Sequence, residues 1–113
     1  MSEPKDIGDQ RFICSMLEWH ERVFPDISPQ EQLEKLEEEK QEFFASNYSI
    51  KEYVDVLIVA IILNYRFGIE TGLAFAGQHW HNFKKSDINK EIRKKMRENV
   101  GRKWDIKANR HIG

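Results

Sequence analysis

Residues 35–64 read KLEEEKQEFFASNYSIKEYVDVLIVAIILN: an acidic helical pattern, a short polar turn, then an apolar block. A helix advances about 100° per residue, so Lys35, Glu39 and Glu42 at i, i+4 and i+7 share one stripe beside Leu36 and Phe43. In the second half Glu52 and Asp55 stand at i and i+3, and their stripe continues through Val59 and Ile62, which are purely apolar. Val56 to Leu63 is apolar on every side, the mark of a helix surrounded by protein, so Asp55 at its mouth is expected to be at least half buried. Ser46, Asn47 and Tyr48 form a tight connection, which makes the two helices antiparallel neighbours. Four acids therefore converge from adjacent helices. A buried carboxylate is costly without a cation, a metal or a pKa shift, and a set of oxygen-only ligands favours Mg²⁺ or Mn²⁺ over zinc.

Plainer readings of the same residues stand beside this one. Ser49-x-x-Glu52 is also a capping box, in which Glu52 would reach back to the Ser49 backbone N–H. Glu37, Glu38 and Glu39 could form only a solvated face, as most charged helix positions do. Asp55 is what the solvated-face reading leaves unexplained.

The whole chain bounds what such a site can serve. Its 113 residues are one domain's worth, small enough that oligomerisation would help it, and the all-round apolar helix points to a dimer or a higher assembly. Hydrophobic content of 40% with 33% charge reads as soluble and globular. Val56 to Leu63 falls far short of the ~18 apolar residues of a membrane span, and MSEPKDIGDQ has no signal-peptide character, so a cytosolic protein is expected. The single cysteine, Cys14, cannot form an internal disulfide and reads as core packing. The net charge of −1 hides an asymmetry: residues 31–55 hold eight acids and three bases, net −5, and residues 84–110 hold eleven bases and four acids, net +7. An acidic patch with a basic segment fits a metal plus phosphates; a basic segment alone would also fit nucleic acid.

In chain order, Asp9 to Val23 reads as a first helix on the stripe Phe12, Met16, Trp19 and Val23. Phe24-Pro25-Asp26 breaks it. Ser28-Pro29-Gln30-Glu31 opens the second helix with an N-cap, proline at the first helical position and glutamate at the third. The third helix ends near Gly68, and Ile69 to Lys85, interrupted by Gly72 and Gly77, reads as a short or broken helix. His79 and His81, two apart, face different ways and make no zinc pair, and no ExxH element near the acids supports a di-iron bundle. From Ser86 a last helix carries Ile88, Ile92, Met96 and Val100 as its core stripe, flanked by Lys95, Asn99 and Arg102, a row of donors suited to phosphate oxygens. On the residues alone Lys95 and Arg102 read first as two of many surface bases, and helix-unfriendly Asn99 in the middle of the row is what that reading leaves unexplained. Residues 1–8 and 105–113 read as extended tails. The expected fold is all-α, a four-helix-bundle-like core of antiparallel helices completed by oligomerisation.

At KLEEEKQEF and EYVD, with KMRENVGRKW downstream, the chain resembles the MazG-like members of the all-α nucleoside triphosphate pyrophosphohydrolases. Lys35 matches the family's lysine, Glu38, Glu39 and Glu42 its EExxE, Glu52 and Asp55 its ExxD, and Lys95, Asn99, Arg102 and Trp104 its K-x-x-x-N-x-x-R with a following aromatic. Trp19 to Pro25 matches an upstream W-x-x-x-x-F-P, and the nine residues between Glu42 and Glu52 are fewer than the family usually has. The resemblance implies Mg²⁺-dependent cleavage of nucleoside triphosphates between the α- and β-phosphates, giving the monophosphate and pyrophosphate. It implies Glu39, Glu42, Glu52 and Asp55 as metal ligands, with Glu38 orienting or deprotonating the water beside Glu39 in the catalytic pair. Lys35, Lys95 and Arg102 would act on the leaving pyrophosphate, with Asn99 beside them, and Trp19 and Trp104 are candidates for stacking on the base. Dimers or tetramers are the expected assembly. The competing expectation is a non-catalytic helical module whose basic segment binds nucleic acid or an acidic partner.

Overall fold

The computed structural model of the protein describes residues 9–105 and 110–111; the expected tail at 1–8 lies outside the described residues. The chain is all-α, and its described residues form five α-helices: α1 (Gln10–Val23), α2 (Pro29–Ala45), α3 (Ile50–Phe67), α4 (Thr71–His79) and α5 (Lys85–Gly101). A single 3₁₀ turn, Trp80–Asn82, continues α4, so Ile69 to Lys85 is the short, interrupted helix expected there.

Local chemistry fixes the helix ends. Asp9 caps α1, its carboxylate accepting from the Arg11 N–H at 3.1 Å. Ser28 and Glu31 make a reciprocal capping box on α2, with Pro29 at a position whose N–H would have no helical partner. Gly68 ends α3 in the left-handed region at φ 71°, and the Ile69 N–H returns to Leu63 O at 3.0 Å, closing a Schellman-type cap. Between α2 and α3 both Asn47 (φ 60°) and Tyr48 (φ 63°) are left-handed, an expensive choice for a tyrosine. The Tyr48 ring meets Phe43 edge-on at 5.2 Å and lies along His79 at 5.9 Å, contacts that help hold the turn.

The other four helices all pack on α3. Every residue from Val56 to Leu63 is buried, as are Tyr53 and Val54. Burying each Val, Leu or Ile contributes about 1.5–3 kcal/mol relative to exposure, so α3 dominates the core. This enclosure is provided by one chain, and the apolar block therefore needs no second copy to cover it. α4 approaches α3 closely at Gly72, where a Cβ would stand 2.9 Å from both Cα and Cβ of Ala60. The buried Tyr53 hydroxyl donates to Ala76 O at 2.7 Å and ties the same two helices.

Two expectations are corrected. Val100 is 57% exposed, because i+4 steps advance 400° and drift 40° each time; after Ile88, Ile92 and Met96 the inward position falls at Asn99, which is buried. Cys14 is exposed, about 200° around α1 from buried Met16. Of the expected extended tail at 105–113, residues 106–109 and 112–113 lie outside the described residues; Asp105, with Trp104 before it, runs antiparallel to Arg110–His111 as short extended strands. No described helix is long and apolar enough to cross a membrane.

Candidate functional site

A cavity of about 410 Å³ opens between α1, α2, α3 and α5. α2 contributes Lys35, Glu38, Glu39 and Glu42; α3 contributes Glu52 and Asp55, with Ile58, Val59 and Ile62 as an apolar floor; α5 contributes Lys95 and Asn99, and Arg102 follows at its C-terminal cap. Trp19 lines it from α1 and Trp104 from the strand after α5. The residues singled out in the sequence thus share one cavity. Phe24, the phenylalanine of W-x-x-x-x-F-P, and Ile58 of the apolar run also line it, as do His20 and Gln32, to which the sequence reading gives no role. A histidine beside a stripe tryptophan and a glutamine one turn before a lysine carry no signal until the fold brings them together.

The acids are poorly solvated and close to one another. Glu39 is 8% exposed, and burial, a hydrogen bond with Glu42 and the charge of Asp55 raise its pKa well above the carboxylate range, with Lys35 opposing. Burial first, then Glu52 and Glu42, push Asp55 up to about 6 against the opposing pull of Lys95. Lys95 Nζ stands 3.4 Å from Asp55 Oδ1 and 3.9 Å from Glu98 Oε1. Arg102 donates to Asn99 Oδ1 at 3.3 Å and pairs with Glu98 at 3.6 Å. The Trp104 indole N–H donates to Asn99 O at 3.0 Å, which fastens the segment after α5 over the cavity.

Such carboxylates fit a hard divalent cation in donor chemistry and in location: all are oxygens, they come from facing helices, and their mutual repulsion is what a cation would relieve. Among the described residues no group of three or more acids, histidines or cysteines is drawn together into a ready metal site. The side chains are instead gathered around the Glu39–Glu42 hydrogen bond and the Lys95 ammonium.

At Glu52 the two sequence readings separate. Ser49 does cap α3, its Oγ accepting from the Glu52 N–H at 3.3 Å, but the Ser49 N–H donates to Ser46 Oγ at 3.2 Å. The Glu52 carboxylate is thereby left to the cavity. Ser49→Ala is expected to cost about 1 kcal/mol of stability and little turnover, whereas Glu52→Gln should lower turnover while moving the melting temperature little. Urea unfolding and a pyrophosphate assay on both variants check this; equal turnover for Glu52→Gln and wild type would leave Glu52 no role beyond the helix start.

Opposite the acids, His20 is buried, and burial, then the Arg66 charge, lower its pKa to about 4. Gln32 opposes this shift from beside the ring. Arg66 Nη1 lies 2.8 Å from His20 Nδ1 and also donates to Phe24 O at 2.9 Å, so α3 clamps the end of α1. No protein-family model, curated protein or solved structure matches the chain.

Proposed function

We propose that the protein is a MazG-like nucleoside triphosphate pyrophosphohydrolase, cutting nucleoside or deoxynucleoside triphosphates between the α- and β-phosphates. The observation that carries this reading is the sharing of one cavity by the α2 and α3 acids, the α5 cations and an aromatic wall. Its volume is within the range of small-molecule sites. Glu39, Glu42, Glu52 and Asp55 would hold Mg²⁺, with Mn²⁺ as a substitute. When bound, the ion supplies neutralisation of phosphate charge and a water activated for attack.

The remaining work falls to the chain. Glu38, exposed at the rim, orients or deprotonates the water next to buried Glu39. Lys35, Lys95 and Arg102 neutralise the departing pyrophosphate, and Asn99 holds the Arg102 guanidinium in place. To reach phosphate, Lys95 must leave Asp55, so substrate and metal together exchange one ion pair for two. A homodimer or homotetramer in the cytosol completes the proposal.

One observation favours a second reading: Lys84, Lys85, Lys90, Lys94 and Arg97 are exposed on or beside α5, a basic face that could meet nucleic acid or an acidic partner. The two readings respond differently to position. For hydrolysis, Lys95→Ala and Arg102→Ala should depress kcat/KM far more than Lys84→Ala or Lys90→Ala, which lie outside the cavity. For nucleic acid, each loss should weaken binding about alike and lower the salt slope by about one per phosphate contact. A pyrophosphate assay beside an oligonucleotide titration at two salt concentrations decides; uniform turnover with a uniform fall in oligonucleotide affinity would end the hydrolase reading.

A further inference from the structure

Lys95 stands between two spaces. On one side it lines the cavity of the acids, its ammonium 3.4 Å from Asp55 Oδ1. On the other it lines a smaller cavity of about 220 Å³ that Val54 of α3 and Glu98 of α5 also line. Glu98 lies outside the larger cavity, yet its Oε1 is 3.9 Å from Lys95 Nζ and 3.6 Å from Arg102 Nη2. Positions three before and four after Glu98 share its face of the helix, which is why one acid reaches both cations from behind.

These contacts do not set where the two cations point. Arg102 is oriented by Asn99 Oδ1 at 3.3 Å, and Lys95 lies nearer to Asp55 than to Glu98. At 3.6 and 3.9 Å the Glu98 carboxylate is beyond ordinary hydrogen-bond length, and its side chain is 41% exposed, so it supplies charge rather than fixed geometry. A negative charge there lowers the positive potential that Lys95 and Arg102 present to an anion in the cavity, and it offers both a partner once that anion leaves. Such an acid adds nothing to affinity for a polyanion. It favours departure, the step that limits many enzymes once the chemistry is fast.

We infer that Glu98 is a positioning residue for product release: it competes from behind with pyrophosphate for Lys95 and Arg102 and keeps that product from being held too tightly. The identity of the anion rests on the hydrolase reading, whereas the competition for the two cations is read by binding, without turnover.

The full chain, as wild type, Glu98→Gln, Glu98→Ala and Glu70→Gln, would be titrated calorimetrically with pyrophosphate in Mg²⁺. Glu70 is exposed at the head of α4, outside the cavity, and controls for net charge alone. Both Glu98 variants should bind pyrophosphate about three- to tenfold tighter than wild type, the size expected of two partly exposed ion pairs, and Glu70→Gln should stay within about twofold. Inhibition of triphosphate turnover by added pyrophosphate should sharpen by the same factor. A gain of affinity is a result that lost packing does not produce. Pyrophosphate affinity unchanged or weakened in both Glu98 variants would overturn the inference, as would equal tightening in Glu70→Gln or no pyrophosphate binding by any form. Tightening at Glu98 in a protein that turns over no triphosphate would uphold the competition and remove the hydrolase reading alone. Turnover with a pyrophosphate affinity indifferent to Glu98 would remove the release role and leave the hydrolase reading standing.

Discussion

Asp55→Asn should lose at least ~100-fold in pyrophosphate release while retaining the helical fold, the scale expected when a main electrostatic contributor is removed without a change in volume. Asp55 stands where α3 enters the core, one residue before the all-buried run that begins at Val56. Burial already makes its charge unwelcome, as its pKa of about 6 records. Replacing it with a neutral isostere relieves that burden and forfeits the ion pair with Lys95, which keeps Glu98 at 3.9 Å as a partner. The melting temperature in the absence of metal should therefore move by only a few degrees. Circular dichroism and the pyrophosphate assay, run together, check both halves. Retention of more than half of wild-type turnover would remove Asp55 from the metal set.

Mg²⁺ should raise the melting temperature of wild type, and more at pH 8.5 than at pH 5.5. A ligand at a hundredfold excess over its Kd stabilises the native state by about 2.7 kcal/mol, on the order of 10 °C for a domain of this size. The pH dependence follows from the raised acids. Glu39 and Asp55 hold protons in the folded protein above the pH at which they release them when unfolded, so without metal their contribution to stability falls as pH rises from about 4 through about 6 for Asp55, and further up for Glu39. Bound metal requires those protons to leave, so affinity grows over the same window. Calorimetry in buffers of different ionisation heat should register proton release at pH 6 to 7. An equal shift at both pH values, or none, would mean that the ion does not bind these acids. Asp55→Asn should reduce the shift, which links the two experiments.

Helix starts and stops were legible because their signals are local: Ser28, Pro29 and Glu31 at the head of α2, and Gly68 at the foot of α3. So was the acid row, since 100° per residue places Lys35, Glu39 and Glu42 on one stripe without any tertiary information. What depended on distant parts of the chain was not. The apolar girth of α3 shows in the sequence, but which elements cover it does not until the packing of α1, α2, α4 and α5 is known. Val100 was misplaced because a repeat of four drifts against the helix period, and the correction is what turns Asn99 towards the cavity. His20 and Gln32 become informative only through Arg66, more than thirty residues away in sequence, whose guanidinium meets the ring that Gln32 supports from the other side. The burial that raises the Glu39 pKa is likewise invisible in sequence, because a motif states which acids can meet but not how deeply they are buried.

The proposal that this cavity breaks the bond between the α- and β-phosphates is met most directly by identifying products. The purified chain, incubated with a mixture of ribo- and deoxyribonucleoside triphosphates and Mg²⁺, would be followed by phosphorus NMR. Pyrophosphate and nucleoside monophosphate in equal amounts, abolished by chelation and by Asp55→Asn, is the expected result. Orthophosphate with nucleoside diphosphate, or triphosphates recovered unchanged, would contradict it.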